Sequence, residues 1–300
     1  MYHEPVLLKE SIEALRINPH GIYVDLTFGG GGHARAILEK LSQKGHLYAF
    51  DQDQAAEEQA SSIKANNFTF IRANALYIKQ FMTFYRVTGL DGIIADLGVS
   101  SHQIDCPQRG FSTRYNGLLD MRMDANNPVT ASHIINTYAE KDLQQIFYDY
   151  AEIDNAKALS KAIVSFRDEQ PIETTHELCG LLKNFTVANM ANKYCAKVFQ
   201  ALRIVVNKEL DTLKKILQQS VNLLNTNSRF VILTYHSLED RLVKRFFNNG
   251  NFSAEQDKDS YGNIVRPLTP ITKKPVTPSS DEIIANKRAR SAKMRTAEKM

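Results

Sequence analysis

Residues 25–33 read DLTFGGGGH, four glycines closed by a histidine and opened by an acid, directly after the β-rich run IYV. Glycines at such a point leave the backbone without Cβ atoms, so that a ligand can come close to the main chain. The dinucleotide fingerprint G-x-G-x-x-G/A is met by Gly29, Gly31 and Ala34, which keeps a nicotinamide dinucleotide in play on spacing alone. Asp25 argues the other way. A carboxylate ahead of the glycines repels a pyrophosphate and suits a positively charged cofactor. S-adenosylmethionine, with a sulfonium, an ammonium and no phosphate, is of that kind. Asp51 ends the next β-rich run, HLYAFD, where an acid accepts hydrogen bonds from ribose hydroxyls of either ligand, with Asp53 as the nearby alternative. Asp96 closes a third run, LDGIIAD. Acids at strand ends also cap helices, which accounts for one of the three more easily than for all.

These acids need a scaffold that brings strand ends together. Over the first hundred residues, strand-like runs (IYVDLT, HLYAFD, FTFIRA, LDGIIADLG) alternate with helix-like ones (PVLLKESIEAL, HARAILEKL, QAAEEQASSIKA, LYIKQFMTFY). Such alternation predicts a parallel sheet covered on both faces, with the carboxyl ends of its strands along one edge. It stops near residue 104. Helical spacing follows in TASHIINTYAEKDLQQIFYDYAE, then NAKALSKAIVSF with Asp154 as its cap, then TTHELCGLL with Thr174 and Glu177 at capping-box spacing. One long helix is expected from about Ala196 to Leu224, and RFVILTYHS restores the strand pattern at 229–235. A helical domain set into an α/β domain after its fourth strand is the simplest account. Beyond residue 250 the Pro-, Ser- and Lys-rich chain predicts an irregular, partly mobile segment.

The 300 residues are 43% apolar and 23% charged, as in globular proteins, and no apolar run reaches membrane-spanning length. The N-terminus, charged from residue 3, does not read as a signal peptide. Cys106, Cys179 and Cys195 have no paired or metal-ligand spacing and read as structural thiols in a reducing cytosol. The net charge of +4 names no partner, but the run NKRARSAKMRTA holds Lys287, Arg288, Arg290, Lys293 and Arg295 without an acid. A phosphate contact and a merely solvated face weigh evenly there.

The motifs HEPVLLKE (3–10), YVDLTFGGGGH (23–33), DLGVSSHQID (96–105), RGFS (109–112), LDMRMD (119–124), FQALRIVVNKEL (199–210), HSLEDRLVKRFF (236–247) and RARSAKMR (288–295) span nearly the entire chain. In this order they resemble the bacterial MraW (RsmH) family, S-adenosylmethionine-dependent methyltransferases acting on the exocyclic N4 of a cytidine in 16S ribosomal RNA of the small subunit. The resemblance implies a Rossmann-like class I methyltransferase sheet over residues 1–103 and 206–300. Residues 104–205 become an inserted helical substrate-recognition domain. It further implies that Gly31, Gly32 and His33 hold the cofactor, that Asp51 binds its ribose, and that Asp96 and Gln103 line the same pocket. Ala75 stands where the family has an aromatic near the adenine and is carried as a backbone contact. Two departures lie in or near the insertion: KYCAK (193–197) replaces the family's HPATR, and Asn116-Gly117-Leu118 replaces Asp-Gly-Pro. A cytoplasmic enzyme without a metal is implied, and a homodimer is left open.

The N4 amine of cytosine is a weak nucleophile because its lone pair is delocalised into the ring. An acceptor beside it polarises the amine and takes its proton. Asp96 is the first candidate and His236, after the fifth strand, the second; a lone strand-end histidine is more often a structural hydrogen-bonder. Arg122 is a substrate candidate, with an ion pair to Asp120 as its equally weighted alternative. With RNA as the expected substrate, Arg290 and Lys293 become phosphate contacts. Gln200, Arg203 and Asn207 share one helix face opposite Phe199, Leu202 and Val206; they form either a solvated face or an anchor for the RGFS loop. The rivals are an NAD-dependent oxidoreductase, disfavoured by Asp25, and a non-catalytic RNA-binding factor, disfavoured by the intact acids.

Overall fold

In the computed structural model, which describes residues 5–300, seven strands form one mixed sheet. They are β1 (Ile22–Asp25), β2 (His46–Asp51), β3 (Phe68–Arg72), β4 (Leu90–Asp96), β5 (Leu224–Thr234), β6 (Leu268–Pro270) and β7 (Lys293–Lys299), in the order β3-β2-β1-β4-β5-β7-β6. The first five run parallel, and β7 is antiparallel to both β5 and β6. The chain divides into two compact units, one of residues 5–98 and 210–300 and the other of Val99–Glu209.

The sheet unit carries α1 (Leu8–Leu15), α2 (Gly32–Leu38), α3 (Gln54–Ala60) and α4 (Ile78–Phe84). The two-residue strand period sorts its side chains onto two faces. Val24, Tyr48, Phe50, Ile93, Phe230 and Ile232 enter one core, while Tyr23, Leu47, Ala49, Ile94, Val231 and Leu233 enter the other. Burial on both faces explains why these runs read as nearly continuous apolar segments. The same period assigns Asp25, Asp51 and Asp96 to the second face, that of α1 and α2, at the carboxyl ends of three adjacent parallel strands.

The helical unit holds α5 (Ser101–Asp105), α6 (Ala131–Thr137), α7 (Glu140–Ala151), α8 (Ala156–Glu169), α9 (Thr175–Leu182) and α10 (Ala191–Asn207), with its own core around Leu143, Phe147, Leu159, Val198 and Leu202. Thr174 and Glu177 form the expected capping box. Asp154 does not cap: Asn155 occupies the cap position of α8, and its side chain bonds Phe185 O and Tyr194 OH instead. The long helix expected over 196–224 is two helices, because Lys208 is left-handed (φ 51°) and ends α10 before α11 (Glu209–Leu223) begins. Likewise the run from Thr130 breaks into α6 and α7 at the extended residues Tyr138 and Ala139.

The segment after 250 departs most from expectation. Past α12 (Ser237–Asn249) it forms β6, α13 (Ser280–Ala285), a 3-10 turn over Lys287–Ser291, and β7. β7 pairs along its length with β5, Arg229 opposite Glu298 through Thr234 opposite Lys293. Arg295, within the basic run, is buried and bonds both oxygens of Asp240, at 2.6 and 3.2 Å. A solvated tail could not hold it there.

Candidate active site

The loop after β1 is sewn to both neighbouring strands. On the β2 side, Gly29 N–H donates to Asp51 Oδ2 (2.8 Å) and Phe28 N–H to Phe50 O (2.9 Å). On the β4 side, Asp96 N–H donates to Thr27 Oγ1 (2.6 Å). Gly31 sits left-handed (φ 78°) at the start of α2, where a side chain would be strained and would strike the Phe28 ring. A Cβ on Gly32 would run into the ring of Pro5. These two glycines are therefore required by the fold itself.

Asp25 is 1% exposed; its Oδ1 accepts Thr27 N–H at 3.0 Å, and its Oδ2 has no partner among the described residues. Burial pushes its carboxyl up to about 6, offset partly by His33 and the Thr27 amide, and reinforced by the charges of Asp96 and Asp51. Asp51 accepts Asp53 N–H (2.9 Å) as well as Gly29 N–H, and burial raises it to about 6 against those bonds. Asp53 itself caps α3 through Ala55 N–H, the structural role of a strand-end acid.

Asp96 retains 25% side-chain exposure, so one edge is reachable although the rest is enclosed. Its Oδ1 accepts the Tyr235 hydroxyl at 2.7 Å, and its Oδ2 lies 3.9 Å from His33 Nδ1. Burial raises it to about 7, the Tyr235 bond pulling it down and the Glu239 charge up. His33 is 6% exposed, with Nε2 3.2 Å from Val6 O, and burial holds its pKa below the ordinary value. The basic group facing this cluster is thus neutral, and the cluster itself is acidic.

Ala75 is buried in the core at a 3-10 turn after β3, where Asn74 caps the turn and also donates to Gln52 Oε1 at 2.9 Å, tying the ends of β2 and β3. His236 caps α12, accepting Glu239 N–H at Nδ1 (3.5 Å), while its Nε2 lies 3.2 Å from Glu239 Oε1 without the alignment of a hydrogen bond. Arg290 is exposed. Lys293 is half-buried and pairs with Asp240 at 3.3 Å.

Gln103 and Arg122 belong to the helical unit. Gln103 is buried and completes the capping box of α5 through Ser100 N–H (3.0 Å). Arg122 bonds Asp120 at both oxygens (2.9 and 2.8 Å) and the carbonyls of Ala125 and Asn127 (2.9 and 2.8 Å). Four of its five N–H donors are therefore committed within its own loop. The internal pair weighed against a substrate contact is what the structure shows. Asn207 completes the brace: it accepts Met123 N–H at 2.7 Å and donates to Met121 O at 2.8 Å. The polar face of α10 is thus an anchor, but for the LDMRMD loop. Arg109 of RGFS reaches the same backbone at Arg122 O and Met123 O (2.9 and 3.2 Å). In KYCAK, Tyr194 OH donates to Asn155 and Lys197 Nζ to Glu152 O, so these residues fasten α10 to its neighbours.

Tyr235 is the site residue that motif reading passed over. Val231, Leu233 and Tyr235 alternate along one strand, and that period places the phenol on the same face as the three acids.

A sheet in this order, with one antiparallel strand beside β5 and acids closing three adjacent strands around a glycine turn, defines a Rossmann-like class I methyltransferase. A family model described as the MraW methylase family matches residues 1–300, and the chain belongs to that family. It is 53% identical to the Ribosomal RNA small subunit methyltransferase H of Amoebophilus asiaticus (strain 5a2), over 99% of this chain and 96% of that protein. With the protein of the same name from Cytophaga hutchinsonii it shares 51% identity over the full length of both. The Flavobacterium johnsoniae protein of that name is 49% identical over 100% of this chain and 98% of its own.

Proposed function

We infer that this protein transfers a methyl group from S-adenosylmethionine to the exocyclic N4 of a specific cytidine in 16S ribosomal RNA of the small subunit. The observation that carries the cofactor is Asp25 Oδ2, a buried oxygen without a partner among the described residues, beside two further acids and a neutral histidine. That set fits a cation and repels phosphate. When bound, the cofactor supplies an electrophilic methyl on positively charged sulfur. Asp25 and Asp96 supply the balancing negative charge, Asp51 accepts from the ribose, and the 29–33 turn offers main chain stripped of side-chain bulk.

Asp96 has a second task. Its Oδ2 would accept a proton from the N4 amine as the N–C bond forms and the methyl–sulfur bond breaks with its electron pair left on sulfur, which keeps positive charge from building on the nucleobase. A carboxyl near 7 is ionised often enough to accept that proton at neutral pH and basic enough to hold it. His236 acts on the start of α12. The helical unit, and Arg290 and Lys293 on the sheet unit, recognise the RNA, and the loop that Arg122 shapes presents backbone and side chains to it. The target base has to leave its stack to be reached, which favours a single-stranded or deformable site. Among the described residues no helix is long and apolar enough to cross a membrane, in keeping with work on ribosomal RNA in the cytoplasm.

Incubating the full-length protein with labelled methyl donor and either naked ribosomal RNA or assembled small subunits, then digesting to nucleosides, tests this. Label in N4-methylcytidine is expected; label in another nucleoside, or none on either substrate, overturns the reading.

A further inference from the structure

The carboxylate at the centre of this site is gripped on one side by a residue from a different strand. Tyr235 follows β5 directly; its hydroxyl donates to Asp96 Oδ1 at 2.7 Å. Its own backbone is fixed by donation to Glu239 Oε2 at 2.9 Å, from the first turn of α12. A Cβ built on Gly98 (φ 97°) would stand 3.6 Å from Tyr235 Cδ2, so the ring passes beside that turn. Tyr235 is thus held at two points, its hydroxyl and its backbone N–H, and burial together with the Asp96 charge pushes its own pKa far up, so it remains a donor at every relevant pH. On the other side, the main chain of Asp96 is fixed by Thr27 Oγ1 at 2.6 Å.

We propose that Tyr235 is a positioning residue for methyl transfer: by occupying Oδ1 of Asp96 it leaves Oδ2 as the single acceptor presented to the substrate amine. This rests on the reading of Asp96 as proton acceptor. The groups facing Asp96 in the sheet unit are Tyr235 after β5, His33 from α2, Asp25 from β1 and Glu239 from α12. Burial and the two acids favour the protonated carboxyl, while His33 is itself held neutral. The Tyr235 hydroxyl is the hydrogen bond that opposes them. Its removal therefore moves Asp96 toward higher pH.

The test is the pH dependence of labelled-methyl transfer by the full-length chain, compared for wild type, Tyr235→Phe and Asp96→Asn between about pH 5.5 and 9. In Tyr235→Phe the acid limb should move up by about one pH unit, the weight of one charge-assisted hydrogen bond. Its kcat at neutral pH should fall about tenfold, with the KM for the methyl donor within about twofold. Site-specific replacement by 3-fluorotyrosine, a stronger donor, should move the limb down. A second readout needs no turnover. In carboxyl-carbon NMR of the cofactor-free protein, the aspartate resonance missing from Asp96→Asn should titrate higher in Tyr235→Phe and lower in the fluorinated chain. An Asp96 midpoint that stays put in both variants, or a Tyr235→Phe loss confined to thermal stability or donor KM, overturns the assignment. A wild-type acid limb that survives in Asp96→Asn would instead overturn the role of Asp96 itself, a separate and distinguishable failure.

Discussion

Two polar clusters in this molecule are each built around aspartates and end in opposite states. In the 109–127 loop of the helical unit, Asp120 meets Arg122 at both oxygens, Arg122 also serves two carbonyls, and Asn207 and Arg109 take up the backbone between them. Asp120 and Arg122 neutralise each other there. At the carboxyl edge of the sheet, Asp25, Asp51 and Asp96 meet amides, a phenol and a neutral imidazole. Among the described residues no cation answers them and Asp25 Oδ2 has no partner, and each carboxyl is pushed well above its ordinary range. An acid already matched by an arginine acts as a brace. An acid held by neutral donors and left unanswered is a receptor for positive charge, at a cost in stability that a ligand can offset.

Asp96→Asn removes the proposed proton acceptor and should lower methyl transfer by at least about a hundredfold, with donor affinity, read by calorimetry, changing only a few-fold. Equal losses would move Asp96 wholly to the receptor. Asn207→Ala strikes the brace. It strips partners from Met123 N–H and Met121 O and should cost about 2 kcal/mol in denaturant unfolding, while donor affinity stays as in wild type. A matching loss of donor affinity would erase the distinction between the clusters.

Asp25→Asn should do the reverse, weakening the donor and steadying the empty protein. The folded-state value of Asp25, about 6, lies above its ordinary 3.8. The fold therefore favours the protonated form, and this contribution, present below the ordinary value, is lost as pH rises through about 6. Thermal unfolding should accordingly find the variant more stable than wild type by on the order of 1–2 kcal/mol at about pH 8, with the gap closing toward about pH 4. A gap that widens in acid would contradict the sign. The smallest effect is expected from Arg290→Ala, an exposed cation: RNA affinity should drop a few-fold and the salt slope by about one. An unchanged slope would remove Arg290 from the interface.

The strand-end acids were legible because short, nearly continuous apolar runs terminate visibly in Asp25, Asp51 and Asp96, a local signal. The capping box at Thr174 and Glu177 is local too. What escaped depends on partners far along the chain. KMRTAEK becomes β7 only because β5 offers an edge some sixty residues earlier, and Arg295 is buried only because Asp240 waits there. The break at Lys208 leaves no glycine or proline to mark it. Asn207 is an ordinary polar helix residue until Met121 and Met123 fold against it. Tyr235 sits between an apolar strand and a conspicuous histidine, and its hydroxyl gains meaning only across the sheet from Asp96.

Titration calorimetry of S-adenosylmethionine into the wild-type protein at about pH 6.5, in buffers of different ionisation enthalpy, addresses the central claim most directly. If burial holds the carboxyls of Asp25, Asp51 and Asp96 near 6–7, a bound cation must favour their ionised forms. Binding should then release protons to the buffer, and release should shrink in Asp25→Asn. Binding without proton exchange, or with proton uptake, would contradict the account.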